Sequence, residues 1–296
     1  MQPVRVGLVG AGPWAGFVHA PALTGGPETT LAGVWARRPE AAAELAGRHG
    51  TVAFGSYDEL LGSCEAVAFA VPPDVQAELA PIAARAGKAL LLEKPLAADV
   101  AGAERVAAAV AEAGVPSLLV LTYRLQPAVE AYLVQARALA PTGGRGWFTS
   151  GGFLDGPFAT PWRLARGAIL DLGPHLFDLL DAALGPITGV RAAGHVRRFV
   201  TIQCEHATGA VSDLALSGDV AGDSRTGLEV FGPTGSLALD ARSFERDDGE
   251  IRRRFAAVAR GEATELDAAR GLHLQRLVAA AEASLGGEGA WRVASA

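Results

Sequence analysis

In roughly the first 120 residues, apolar positions come as short continuous blocks separated by longer amphipathic stretches. Val4 to Val9, Leu31 to Ala36, Thr51 to Phe54, Ala66 to Val71, Ala89 to Leu92 and Ser117 to Leu121 are too short for helices and read as strands. Phe17 to Leu23, Pro39 to His49, Tyr57 to Leu61, Asp74 to Ala86 and Asp99 to Ala113 read as the helices between them. Asp74 is a natural cap, and Gly50, Gly87 and Gly114 close three of these helices. Buried strands alternating with helices predict right-handed βαβ units and a parallel sheet covered on both faces.

The rhythm changes near Tyr123. Tyr123 to Arg137 reads as a linking helix, cut at Pro127 and ending before Pro141. Gly146 to Phe153, Ile187 to Val196, Arg198 to Glu205, Ala210 to Ser217, Thr226 to Phe231 and Ser236 to Leu239 then follow as strands separated mostly by turns, which predicts an antiparallel sheet. One helix, Ala168 to Asp181, interrupts this series. A last helix carries Leu274, Leu277, Val278, Ala281 and Leu285 at helical spacing, as packing surface. The expected division is residues 1–122 as a doubly wound α/β domain and 123–296 as an α+β domain.

Composition narrows the partners. Half of the 296 residues are hydrophobic and a fifth are charged, with a net charge of -6, and no basic block occurs. A nucleic-acid partner is not expected. Apolar runs are too short for a membrane span, and no signal-peptide pattern opens the chain. Cys64 and Cys204 stand alone and far apart, which fits a reducing cytoplasm rather than a disulfide framework.

Three short stretches carry chemistry. The first is Gly10-Ala-Gly12-Pro13-Trp14-Ala15, placed between a strand and a helix. Gly10 permits a sharp turn, Gly12 lets the backbone approach a pyrophosphate, and Ala15 allows close helix packing; the helix N–H groups then face the anion. Taken alone, this is also what a generic α/β turn looks like. The second is the end of the next strand, Ala36-Arg37-Arg38, where NAD-binding sites place an acid for the ribose hydroxyls. Two guanidinium groups there suit a 2′-phosphate, so NADP(H) is expected over NAD(H), with solvated surface arginines as the alternative. The third is Glu93-Lys94-Pro95, which puts a lysine at the carboxyl end of a parallel strand, where such sheets bind ligands.

Together with His19-Ala-Pro-Ala-Leu and Ala86-Gly87-Lys88, these stretches resemble the glucose–fructose oxidoreductase / inositol dehydrogenase / rhizopine-catabolism (Gfo/Idh/MocA) oxidoreductase family. The resemblance implies a Rossmann domain followed by an α+β domain with a large, open, mainly antiparallel sheet. It implies NAD(P)-dependent hydride transfer to or from a sugar, polyol or related compound, with Lys94 near the reacting oxygen. Val71, Pro72, Gln76 and Glu93 would join the cofactor site. Gln76 stands where the family often has a histidine.

Asp171 and His175 are four residues apart and share a helix face, near a start fixed by Pro174. Read from the residues, this is either a capping aspartate with a core histidine or an acid/base pair. The resemblance implies the pair, with His175 as acid/base and Asp171 orienting it. Asp178 is the second choice of partner, and Asp181 is expected to face solvent. Tyr123, Arg124, Trp162 and Arg163 are either substrate contacts or packing and surface residues. His195 and His206 lie on strands without a three-ligand spacing, so no metal is expected; His49 and His273 read as helix-surface residues. A glycoside-cleaving enzyme that recycles its NAD and a non-catalytic nucleotide sensor are the alternative functions. The one-sided sheet also predicts a homodimer or homotetramer through its open face.

Overall fold

The computed structural model describes residues 2–287 and 289–293 and divides into two compact units. One comprises Met1–Leu121 with Asp247–Leu272, and the other Thr122–Arg246 with His273–Ala296.

The first unit is built on a parallel sheet of β1 (Val4–Val9), β2 (Thr29–Trp35), β3 (Ala66–Phe69), β4 (Ala89–Glu93) and β5 (Ser117–Val120), in the order β2-β1-β3-β4-β5. Every residue of β3, β4 and β5 is buried, as expected of strands with helices on both faces. Its helices are α1 (Ala20–Thr24), α2 (Pro39–Arg48), α3 (Tyr57–Ser63), α4 (Pro73–Arg85) and α5 (Val100–Ala113). Asp99 caps α5 by accepting from the Gly102 N–H at 2.7 Å. Asp74 does not cap α4; it lies in the first turn, after Pro73 has started the helix. Strand order reverses at β1, whose neighbours are β2 on one side and β3 on the other, so the ligand crevice of this sheet type opens at the carboxyl end of β1. The expected strand at Thr51–Phe54 amounts to one bridge, between Val34 and Ala53.

The second unit opens with α6 (Pro127–Ala138). Pro127 starts this helix instead of cutting one, because the first turn has no use for the N–H that proline lacks. Next come β6 (Gly143–Thr149), α7 (Pro161–Asp171), α8 (Gly173–Leu184), β7 (Ile187–Gly194), β8 (Val200–His206), β9 (Val211–Ser217), β10 (Arg225–Gly232) and β11 (Gly235–Asp240). With β12 (Arg292–Val293) they form a sheet ordered β11-β10-β6-β9-β8-β7-β12, antiparallel except for the β6–β9 pair. In β8 the residues Val200, Ile202, Cys204 and His206 are buried while Thr201, Gln203 and Glu205 are exposed, so the sheet is covered on one face. The cover is α8, apolar almost all round because it lies between the sheet and α6.

Two further expectations change. Residues Asp247–Leu272, assigned by sequence to the second domain, cluster with the first unit. They hold α9 (Gly249–Ala259), which buries Ile251, Phe255 and Val258. Buried Arg252 reaches Glu28 Oε2 at 2.6 Å and the Ala22 carbonyl at 3.1 Å. Asp181 does not face solvent: it is buried, accepts from the Ile187 N–H at 2.6 Å and pairs with His273 Nε2 at 2.9 Å, on α10 (Ala268–Gly286). The apolar neighbours on α8 make burial of Asp181 affordable only because both carboxylate oxygens are bonded.

Candidate active site

Gly10 follows β1 with φ +114°, and a Cβ there would meet the Ala70 carbonyl oxygen at 2.3 Å, so the turn admits no other residue. At Gly12 a Cβ would enter open space, so this glycine leaves room beside the backbone for a ligand rather than for a neighbour. Ala15 is fully buried and Pro13 is exposed. A dinucleotide pyrophosphate fits this cradle, with helix N–H groups at its mouth. Val71 and Pro72 are half-buried in the turn ahead of α4. Arg37 and Arg38 are exposed beyond β2, and neither has an ion-pair partner among the described residues.

The segment after Gly12 is not a plain α-helix. Ala15–His19 winds as a π-helical turn that runs into α1. His19 is fully buried, and its Nε2 lies 2.7 Å from Glu93 Oε1. The Trp14 indole N–H donates to the same oxygen, also at 2.7 Å. The other carboxylate oxygen, Oε2, accepts the Lys94 backbone N–H at 3.2 Å. Lys94, half-buried, therefore sits in a turn fastened to the glycine turn through Glu93. The Lys94–Pro95 peptide is cis.

Gln76, expected beside the cofactor, is fully buried and braces this turn. Its amide N–H groups donate to the Glu93 and Leu96 carbonyls at 2.8 and 2.9 Å, and its oxygen accepts the Glu93 N–H at 2.8 Å. Three of the four hydrogen bonds that a glutamine amide can make are thus taken by backbone inside the fold. Glu93 and Trp14, assigned to the cofactor by sequence, likewise spend the carboxylate and the indole N–H on each other. His19 belongs to the His19-Ala-Pro-Ala-Leu stretch, for which the family resemblance implies no role. Residues five apart on an α-helix point about 140° away from each other. The π turn, which α-helical periodicity does not signal, is what lets Trp14 and His19 meet one oxygen.

In the second unit, α8 begins at Gly173 with Pro174 in its first turn, as the proline predicts, and His175 follows at once. Gly167, at φ +68°, breaks α7 and lets its last turn carry Asp171 close to that start. The His175 ring is buried, edge-on to Tyr123 with centroids 5.6 Å apart and tilted against Phe148 at 5.9 Å. The Tyr123 hydroxyl lies 3.2 Å from Thr226 Oγ1, which fixes that ring in turn. Asp171 Oδ2 takes Arg163 Nε at 3.2 Å. The Arg163 guanidinium also lies over Trp162 at 4.5 Å and faces Phe158 at 5.6 Å. Arg124, an expected substrate contact, is buried and pairs with Asp178 at 3.4 Å. Asp178, the second choice of partner for His175, is buried with it. Cys64 and Cys204 are both buried, and burial pushes the Cys204 thiol up to about 12, so neither is a nucleophile at neutral pH.

Residues 4–121 match the family model described as "Oxidoreductase family, NAD-binding Rossmann fold", and residues 141–238 match "GFO/IDH/MocA C-terminal domain". Inositol 2-dehydrogenase of Rhizobium meliloti is 42% identical over 106 residues, 36% of this chain and 31% of that protein, so the match spans about a third of its length. UDP-N-acetylglucosamine 3-dehydrogenase of Acidithiobacillus ferrooxidans is 31% identical over 229 residues, 73% of this chain and 68% of that protein. Among solved structures, GenD2 from gentamicin A biosynthesis in complex with NAD superposes with a TM-score of 0.89 at 24% identity, covering 100% of this chain and 97% of that one. The glycine turn, the lysine turn, the one-sided sheet and these matches agree: the chain belongs to the Gfo/Idh/MocA oxidoreductase family, whose first domain is an NAD-binding Rossmann fold.

Proposed function

We propose that the protein is an NADP-preferring dehydrogenase or reductase of a sugar, polyol or sugar derivative. The observation that carries this reading is Lys94 at the carboxyl end of β4, on the same sheet edge as the Gly10–Ala15 cradle. Gly10, Gly12 and Ala15 would hold the pyrophosphate, and Arg37 with Arg38 the 2′-phosphate. The nicotinamide supplies a hydride acceptor or donor when bound.

The remaining work falls to side chains. In the oxidative direction His175 removes the hydroxyl proton at an imidazole nitrogen, and in reduction it returns it. The Lys94 ammonium donates a hydrogen bond to the reacting oxygen and stabilises the negative charge that grows there. Asp171 orients His175 and is itself held by Arg163. Tyr123 and Phe148 keep the imidazole in one orientation, and Trp162 offers a face for sugar C–H groups. Two buried thiols suit a reducing cytoplasm. The exposed face of the seven-stranded sheet, with Val211 and Phe231 beside the Arg145–Glu229 pair, suits a homodimer or homotetramer.

The test is turnover of NADP+ and NAD+ with a panel holding myo-inositol, galactose and UDP-N-acetylglucosamine, followed by nicotinamide absorbance. His175→Ala is expected to lower kcat about 10²–10⁴-fold and Lys94→Ala about 10²–10³-fold, both with NADPH binding retained. Turnover equal to the parent protein's in both variants would overturn the assignment.

A further inference from the structure

Lys94 has no rigid element of its own. It follows the last residue of β4 in a turn that must be fixed from outside if the ammonium is to meet a reacting oxygen. The Glu93 carboxylate reaches both this turn and the glycine turn. We propose that the Glu93 carboxylate, with Trp14 and His19, is a positioning device that holds Lys94 in register with the dinucleotide turn. The inference rests on Lys94 as the group that binds the reacting oxygen.

Three observations carry it. First, the donors converge without redundancy. Trp14 Nε1 and His19 Nε2 both reach Oε1 at 2.7 Å, while Oε2 holds the Lys94 backbone N–H at 3.2 Å. An ionised carboxylate only accepts, so His19 presents an N–H at Nε2. Its Nδ1 is buried with no hydrogen-bond partner among the described residues, so the ring's hydrogen bonding rests on Glu93. Second, the backbone departs from regular geometry to make this possible. The π turn over Ala15–His19 brings together two residues that an α-helix would separate by about 140°. Such turns recur at functional sites. Third, the far side of the hub is locked. Gln76 binds the Glu93 N–H, the Glu93 carbonyl and the Leu96 carbonyl, so the glutamate backbone cannot shift to follow a loosened side chain. Glu93 therefore ties the cofactor cradle to the lysine turn.

A misplacement of about 1 Å at a reacting group costs on the order of 10²-fold in rate. Removing the His19 donor should thus act on turnover rather than on cofactor affinity, and should act through Lys94. The experiment uses the intact protein with NADP(H) and the best substrate of the panel above. It compares His19→Leu, Trp14→Phe and His19→Gln in the parent and in a Lys94→Ala background. Kinetics, NADPH Kd from nicotinamide fluorescence and thermal midpoints are recorded for each. His19→Leu is expected to lower kcat about 10–100-fold while NADPH Kd stays within about threefold. Trp14→Phe, which keeps the ring and loses only its N–H, should do the same to a lesser degree. His19→Gln restores a donor near the Nε2 position and should recover most of the loss. In the Lys94→Ala background the His19→Leu loss should nearly vanish.

Equal losses in both backgrounds, or a raised NADPH Kd with kcat unchanged, would overturn the positioning role. A His19→Leu protein that fails to fold leaves the decision to Trp14→Phe: a parent-like kcat there also overturns it. Full turnover by Lys94→Ala alone would sink the reading of Lys94 itself, a result distinct from all of these.

Discussion

Arg37 and Arg38 follow the second strand as two exposed cations without ion-pair partners among the described residues. A surface guanidinium with no carboxylate beside it is free to take a phosphate. Charge-assisted bonds to it are worth roughly 1.5–3 kcal/mol, about ten- to a hundredfold in affinity. Replacing both with serine should raise the NADPH Kd by that factor and leave the NADH Kd nearly unchanged, as titration calorimetry would report. Equal affinity of the parent protein for both dinucleotides would end the NADP preference. At this scale the positions of the glycines, Lys94 and His175 follow local patterns that the sequence carries: a strand end, a turn, or a proline-marked helix start. The burial of Gln76, Asp181 and Arg124 was not legible. Each is a polar side chain with a partner well along the chain, so its burial depends on contacts that no local pattern encodes. Asp181 shows this best, since His273 is 92 residues away.

Elements came through the sequence where periodicity was strong and failed where winding or register was irregular. The parallel strands and α5 fall close to their expected bounds, whereas the π turn at Ala15–His19 was hidden by its α-like composition. The end of β8 offers a test of element-level packing. His206 is buried, with Nδ1 2.6 Å from the Gly185 carbonyl and Nε2 2.9 Å from Ser212 Oγ, joining the strand to the loop after α8. Burial holds its pKa below the ordinary histidine value, and the bond to Gly185 offsets only part of this. A depressed histidine pKa favours the native state at neutral pH. Its contribution is fully present above the unfolded value of about 6.5 and is lost as pH falls toward the lower folded value, where the unfolded chain binds the extra proton. The urea midpoint of the parent protein should therefore fall more steeply below that pH than the midpoint of His206→Asn, which keeps a donor near Nδ1 and cannot titrate. Parallel curves for the two proteins would remove His206 from the acid response.

For the whole molecule, the open face of the seven-stranded sheet predicts assembly. The β9, β6 and β10 strands line up Val211, Gly143 and Phe231 in one row, with Asp213, Arg145 and Glu229 in the next residue row of that face. Light scattering should give a mass at least twice that of the chain, and Val211→Lys with Phe231→Glu should return it to one. A monomeric mass for the parent protein would refute the proposed interface. The change in strand rhythm near Tyr123 falls beside the first boundary of the units, between Leu121 and Thr122, whereas the return of residues 247–272 to the first unit has no counterpart in the sequence pattern, because an amphipathic helix carries no address. That return has a further consequence. β5 is an edge strand of the parallel sheet, and its Leu119 N–H donates to the Leu266 carbonyl at 2.6 Å while Ser117 Oγ accepts the Ala268 N–H at 3.1 Å. Bare edges invite pairing with other chains. On the ribosome, β1 to β5 are made well over a hundred residues before the segment that seals them. The unit that begins first therefore waits for its closing segment until most of the other has been made, and the nascent chain carries an unguarded sheet edge through most of its own synthesis.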